Sequence, residues 1–155
     1  MKKATNGQFL LGALALSLAA LFTACQSTAT RTAVELKRLQ GYWEGDGAAG
    51  KCSITITGNS LHFHARTDFW YETTFTLPAG ADQQQLHATI KDSSPPTNGI
   101  GTVVLAIFKI EDATLTLAEV DGSDKPPETF DSASSRYIVK KVQPPRENTE
   151  PPKTK

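Results

Sequence analysis

His62 and His64 are the residue pair in this chain whose spacing could bind a metal ion. Two positions apart on a β-strand, both imidazoles project from one face, and His87 or an acidic side chain could be a third ligand. The strand pairing predicted for this segment puts both on a polar outer face, where isolated histidines are solvated. We therefore expect no metal site and no cofactor.

Carboxylates are the other candidates for chemistry, since paired acids can act as general acid and base. No spacing brings two of them together, so we assign them to the surface and turns: Glu44, Asp46, Glu72 and Glu119. The motifs CxxC, HExxH, GxSxG and GxxxxGK[ST] do not occur. We predict no catalytic residue and no enzyme, because an enzyme would need a polar cluster that the sequence does not reveal.

The first residues have the pattern of an export signal. Lys2 and Lys3 precede the apolar run 9–22, which is too short to span a bilayer. An ordinary secreted protein would be cut after Ala19 or Ala20 and would keep Cys25 as a thiol in its tail.

The alternative cut lies before Cys25. Thr23-Ala24-Cys25 resembles the bacterial lipoprotein motif, with Phe22 in place of the usual leucine, and a bulky Phe22 suits an ordinary signal peptidase poorly. The resemblance implies that residues 1–24 are removed and that Cys25 carries diacylglycerol and palmitate, which anchors the protein to a membrane. Gln26 is not the aspartate associated with inner-membrane retention, so we expect the outer membrane, facing the periplasm.

The length and composition of the mature chain predict a single domain with a net charge near zero. Residues 1–24 contain two lysines and no acid, so 16 basic and 16 acidic residues become 14 and 16. Nucleic-acid binding is not expected, because it depends on neutralising phosphates with Lys and Arg. Once Cys25 is lipidated, Cys52 has no partner for a disulfide and should be a buried small apolar residue.

The chain divides into a tether, a domain and a tail. Residues 25–32 are small and polar and should form a flexible lipidated tether. Thr32 and Glu35 predict a capping box for a short helix that Gly41 ends. Residues 144–155 contain four prolines and no large apolar side chain, so we expect a disordered tail after the domain at 33–143.

The domain has the two-residue period of β-strands. Two strands, 51–57 and 60–66, are joined by Gly58-Asn59, a dipeptide typical of tight hairpins. This turn pairs Ile56 with Leu61, Ile54 with Phe63 and Cys52 with Ala65, so that one face is wholly apolar. The other face is Ser53, Thr55, His62, His64 and Arg66, and a slip of one residue would mix the two sets.

Eight strands are predicted in all: 39–47, 51–57, 60–66, 68–77, 85–92, 101–110, 114–120 and 136–142. No helix of crossover length separates neighbours, so adjacent strands should be antiparallel. The expected fold is all-β, an eight-stranded antiparallel up-and-down barrel with a short N-terminal helix, because closure removes exposed edges. A β-sandwich is the alternative.

Several stretches resemble a lipocalin-like domain family found mainly as uncharacterised proteins in planctomycete-type bacteria: Leu36-Lys-Arg-Leu-Gln-Gly-Tyr-Trp43, the segment 108–118, Pro-Glu-Thr-Phe at 127–130 and the last strand at 137–142. The resemblance covers roughly 36–142 and implies a lipocalin-like barrel, with no catalytic residue to carry over. The turn has Asp112-Ala113 where the family favours Asp-Gly. Gly41 and Trp43 are similar to the Gly-x-Trp of lipocalins, which implies that Trp43 plugs the closed end.

A barrel of this size holds one small ligand or a packed core. If it binds a small apolar ligand, the predicted lining includes Trp43, Ile54, Phe63, Phe75, Val104 and Leu117. If those bulky side chains fill the lumen, the protein is instead an interaction module or an inhibitor of an envelope enzyme, acting through its loops. We expect a monomer in either case.

The aromatic run Phe69-Trp70-Tyr71 places rings on both faces of one strand. One ring must therefore point outward, and it would serve as a binding edge or be covered by the helix or a loop. We expect Trp70 to be covered by the helix or a loop.

Overall fold

The computed structural model describes residues 29–47, 50–80, 83–96 and 99–145. Within them one helix, α1 (29–39), precedes eight strands: β1 (Gly41–Gly47), β2 (Gly50–Thr57), β3 (Ser60–Arg66), β4 (Phe69–Thr76), β5 (Gln85–Ser94), β6 (Val103–Glu111), β7 (Thr114–Glu119) and β8 (Ser135–Val142). The predicted export signal, Cys25 and most of the predicted tail lie outside the described residues.

The strands form a closed barrel. Each pairs antiparallel with the next along the chain, and β8 pairs with β1 to complete the ring. The predicted eight-stranded up-and-down barrel is confirmed and the sandwich is wrong. Closure satisfies the backbone hydrogen bonds that two edge strands would otherwise leave open.

The β2–β3 hairpin has the register that its sequence predicts. Ile56 pairs with Leu61 and Ile54 with Phe63, while Thr55 pairs with His62 on the outer face. Gly58 has a φ of +58° at the first turn position, as a type II′ turn requires. A two-residue turn with one apolar face fixes the pairing, because any slip by one residue would bring the histidines inside.

The start of α1 differs from the prediction. Residues 29–32 are already helical, so Thr32 lies inside the helix, and neither the capping box nor a tether reaching residue 32 is correct. Glu35 instead accepts a hydrogen bond from Arg38 at 3.0 Å. Capping residues are a local preference, and a helix held by tertiary contacts can extend past them.

Those tertiary contacts dock α1 against one end of the barrel, here called the closed end. Arg38 Nη2 donates to the Ile110 carbonyl at 2.7 Å, and the Gln40 amide group bonds the backbone of Gly58 in both directions. Leu39 is fully buried, whereas Val34, on the same helix, is 52% exposed. The helix therefore presents one apolar edge to the barrel and closes it.

The closed half of the barrel is packed with apolar side chains. The Trp43 indole is 1% exposed and donates its Nε1 hydrogen to the Leu39 carbonyl at 2.9 Å. The same core cluster contains the buried residues Ile56, Phe75, Leu86, Phe108, Leu115 and Val139. Cys52 is buried as well, as predicted.

The long β7–β8 connection covers part of the barrel's outer face. Ile107 and Ala118 pair across β6 and β7 on the face opposite the core, yet they are 1% and 0% exposed. Pro127 in the connection is itself buried, and Lys109 Nζ lies 5.5 Å from the centre of the Phe130 ring. The connection therefore packs against the outer face of β6 next to this apolar pair.

The β6–β7 turn contains strain that a single substitution can test. Asp112 and Ala113 have φ values of +46° and +60°, the left-handed region that glycine prefers. We expect Ala113→Gly to raise the free energy of unfolding by about 1 kcal/mol, because it removes the steric clash of the Cβ in the folded state. The greater conformational entropy of glycine in the unfolded chain offsets only part of this stabilisation. Urea denaturation measures the change.

Ala79→Gly is the matched control, because Ala79 is an exposed turn residue without positive φ. It should lower the free energy of unfolding by about 0.5 kcal/mol through the entropy effect alone. A loss of stability in both variants would contradict the strain at Ala113.

Candidate functional site

A cavity of about 370 Å³ opens into the barrel at the end opposite α1. We call it the mouth cavity. Its wall is made mainly of inward side chains from β2 to β8: Ile54, Leu61, Phe63, Tyr71, Thr73, Ile90, Val104, Leu117, Glu119 and Tyr137. The connection at 120–124 forms part of the rim. The volume of the mouth cavity lies at the lower end of the range for ligand pockets, roughly 300–1,000 Å³.

The six predicted ligand-lining residues divide between the two halves of the barrel. Ile54, Phe63, Val104 and Leu117 line the mouth cavity. Trp43 and Phe75 are 1% and 2% exposed in the packed core and are not among the residues of its wall. The lumen is thus filled at the closed end and open at the other.

Glu119 is the polar residue that sequence reasoning missed. Its assignment to the surface and turns is wrong, because it ends β7 on the same face as Leu115 and Leu117 and contributes to the cavity wall. The alternation Leu115, Leu117, Glu119 already contained this signal. The sequence assigns Glu119 to the surface only because no spacing shows two carboxylates brought together for acid–base chemistry.

Tyr137 on β8 is the partner of Glu119. Its hydroxyl donates a hydrogen bond to Glu119 Oε1 at 3.3 Å. Burial raises the pKa of the Glu119 carboxyl, Asp121 raises it further, and the bond from Tyr137 opposes the shift. Burial and the nearby Glu119 charge also raise the pKa of the Tyr137 hydroxyl, which keeps it protonated as a donor.

Gly47 on β1 sets the position of the Tyr137 ring. A Cβ built on Gly47 would lie 2.4 Å from Tyr137 Cδ1, so the ring occupies the space that a side chain would need. The ring also packs edge-on against Phe63, with centroids 5.1 Å apart. These two contacts hold the Tyr137 hydroxyl toward Glu119.

The cavity also has a gap at its side. On this end the pairing of β6 with β7 stops at Ala106 and Glu119, and the chain leaves β7 into the rim. On the β7 side, Val103, Val104 and Leu105 therefore adjoin the rim segment 120–124 instead of a strand. On their other side they pair with β5. Val103 is 46% exposed, so the gap has an apolar edge.

The histidine pair lies outside the barrel, as the hairpin register predicts. His62 Nδ1 lies 2.6 Å from Glu72 Oε1, and the His62 ring stacks on Trp70 with centroids 5.9 Å apart. The His62 ring on the neighbouring strand therefore covers Trp70 in part. The described residues contain no group of three or more His, Cys, Asp or Glu side chains placed to hold a metal ion.

The remaining acids stay on the surface. Glu44 accepts a hydrogen bond from the Tyr42 hydroxyl at 2.6 Å, and Asp46 pairs with Lys51 at 3.0 Å, both on the outside of the barrel. The hollows of about 690 and 590 Å³ beside these residues are grooves on the outer face, bordered by charged side chains. They lack the enclosing apolar wall of the mouth cavity.

No protein-family model, curated protein or solved structure matches this chain. The part of the chain that the structure describes also has no helix long and apolar enough to cross a membrane. The site must therefore be interpreted from its own geometry.

Proposed function

We propose that this protein binds one small, largely apolar ligand in the mouth cavity. The observation that carries the proposal is the division of the lumen: one half is packed around Trp43, whereas the other encloses about 370 Å³ within a mainly apolar wall. Protein interiors normally leave few voids larger than a water molecule, so an apolar cavity of this size favours an occupant. We propose binding and not catalysis.

We further propose that the domain works at the cell envelope as a monomer, anchored through a lipid on Cys25. The support is the basic and apolar start of the chain followed by Thr23-Ala24-Cys25. Lipocalin-like ligand binding beside a membrane is consistent with an apolar cargo. In this proposal Cys25→Ser moves the protein from the membrane to the soluble fraction, and unchanged membrane partition of that variant contradicts the anchor.

The competing function is an interaction module or an inhibitor of an envelope enzyme. It is favoured by the outward stack of Trp70 on His62, since aromatic rings at a surface give much contact area for little loss of entropy. Its binding face would be the outer surface of β3 and β4. In that case the content of the mouth cavity would not matter for activity.

Ligand binding can be measured with N-phenyl-1-naphthylamine, a neutral apolar fluorophore. The protein is expressed without lipid from residue 26, which retains every described residue and avoids detergent. We expect one probe per chain by fluorescence titration, and native mass spectrometry should show added mass that disappears on denaturation. Leu117→Trp should abolish binding, because the indole would fill the cavity.

Thr116→Trp is the matched control, because it adds the same ring on the outward face of β7. It should leave probe binding unchanged. If wild type binds no probe, or if both variants bind it as wild type does, the cavity is not the binding site and the interaction-module function is preferred.

A further inference from the structure

The charge of the mouth cavity has one sign. Glu119 lies in its wall and Asp121 and Asp124 at its rim, while the described lining contains no lysine, arginine or histidine. Two basic side chains of the adjacent strands are paired elsewhere: Lys51 with Asp46, and Arg136 with Asp131, each at 3.0 Å. An anionic ligand would therefore enter a negative site of low dielectric without a counter-charge, which is costly.

Aromatic rings line the same space. The Phe63 ring meets Tyr137 edge-on at 5.1 Å and lies roughly parallel to Tyr71 at 6.4 Å between centroids. All three rings belong to the cavity wall, together with Glu119. Ring faces attract cations, most strongly where water is excluded, and aromatic residues combined with a carboxylate are suited to an organic ammonium group.

We propose that the ligand is a cationic amphiphile: an organic ammonium group carried on an apolar body. The inference rests on the proposed ligand-binding function and specifies its ligand class. The ammonium lies against Glu119 and the rings of Phe63 and Tyr137, and the apolar body occupies the space beside Ile54, Leu61 and Leu117. Tyr137 bonds Glu119 Oε1, so in this proposal the second oxygen, Oε2, accepts the ammonium group.

This arrangement explains why a carboxylate stands in an apolar wall. A buried acid without a counter-charge lowers stability, and an incoming cation offsets that cost only in the bound state. The same acid repels the carboxylate of a fatty acid, so it discriminates between amphiphiles with similar chains. The site therefore selects the head group by charge and the body by burial.

Three probes with the same ten-carbon chain separate these contributions: decyltrimethylammonium, decanol and decanoate. Each displaces N-phenyl-1-naphthylamine from the lipid-free chain starting at residue 26, at concentrations below micelle formation. We expect the ammonium to bind most tightly and decanoate most weakly. Glu119→Gln should weaken the ammonium by about tenfold or more and leave decanol unchanged, because it removes the charge and keeps the shape.

Glu128→Gln is the charge-matched control, since Glu128 is exposed on the β7–β8 connection and does not line the cavity; it should not change any affinity. Phe63→Leu is the second test variant, and it should weaken the ammonium severalfold more than decanol. Circular dichroism verifies that each variant is folded.

The outcomes distinguish the inference from the function on which it rests. If N-phenyl-1-naphthylamine binds but the ammonium has no advantage over decanol, or if Glu119→Gln weakens all three probes equally, the ligand class is wrong and the binding function stands. If neither the fluorophore nor any ten-carbon probe binds, both proposals fail.

Discussion

Replacing Trp43 by alanine is expected to lower the free energy of unfolding by about 4 kcal/mol, within the range for deleting a large buried aromatic side chain. The indole is 1% exposed at the closed end, donates to the Leu39 carbonyl at 2.9 Å and lies 5.0 Å from Lys141 Nζ. Its loss leaves a cavity between α1 and the strands and an unpaired buried carbonyl. Urea denaturation followed by circular dichroism measures the change.

Trp70→Ala is the matched control, because Trp70 is a half-buried tryptophan of the same sheet whose ring stacks on His62 at the outer face. This variant should lower the free energy of unfolding by about 1 kcal/mol, which is typical of an aromatic contact with modest burial. If Trp43→Ala is too unstable to fold, Trp43→Phe gives a smaller change of the same sign. A larger loss at Trp70 than at Trp43 would mean that Trp43 does not hold the closed end together.

Gly45→Ala should destabilise the protein by about 3 kcal/mol, at the upper end of the range for overpacking. A Cβ at this position would lie 2.1 Å from the Ile138 carbonyl oxygen and 2.8 Å from the Val139 Cα, both backbone atoms that cannot rotate away. Gly45 pairs with Val139 where β1 meets β8, so the clash falls on the seam that closes the barrel. Thermal unfolding monitored by circular dichroism should show a markedly lower midpoint.

Asp46→Ala tests the neighbouring position of the same seam, where the side chain points into solvent. Asp46 is exposed and its pair with Lys51 lies in solvent, so its loss should change stability by about 0.5 kcal/mol or less. Equal effects of the two substitutions would contradict the close contact between β1 and β8. The pair of variants therefore separates closure of the barrel from general sensitivity of this strand.

The architecture could be predicted because short strands alternate in polarity along the chain. In the β2–β3 hairpin, Gly58-Asn59 and the alternation of Ile54, Ile56, Leu61 and Phe63 allow one register, and that register is observed. The same alternation put His62 and His64 outside. Such patterns act over one or two strands, so they do not depend on how the barrel closes.

The candidate site could be predicted only in part. Alternation identifies Ile54, Phe63, Val104 and Leu117 as inward, but it says the same of Trp43 and Phe75, which are packed at the closed end. How far along the lumen an inward side chain lies depends on the stagger of the strands and on which end of the barrel α1 covers. The contacts of Arg38 with Ile110 and of Gln40 with Gly58 join residues far apart in sequence, and no local pattern shows them.

The sequence by itself determined which side chains face inward, because a two-residue period and a tight turn are local properties of the chain. Only the tertiary structure decided which of those side chains border a cavity. Pairing of β7 with β8 brings the Tyr137 hydroxyl within 3.3 Å of Glu119. Closure of β8 on β1 then places the Tyr137 ring across from Gly47. A polar pair in an apolar wall thus arises from the ring of strands as a whole, since its members acquire their surroundings only when the barrel is complete.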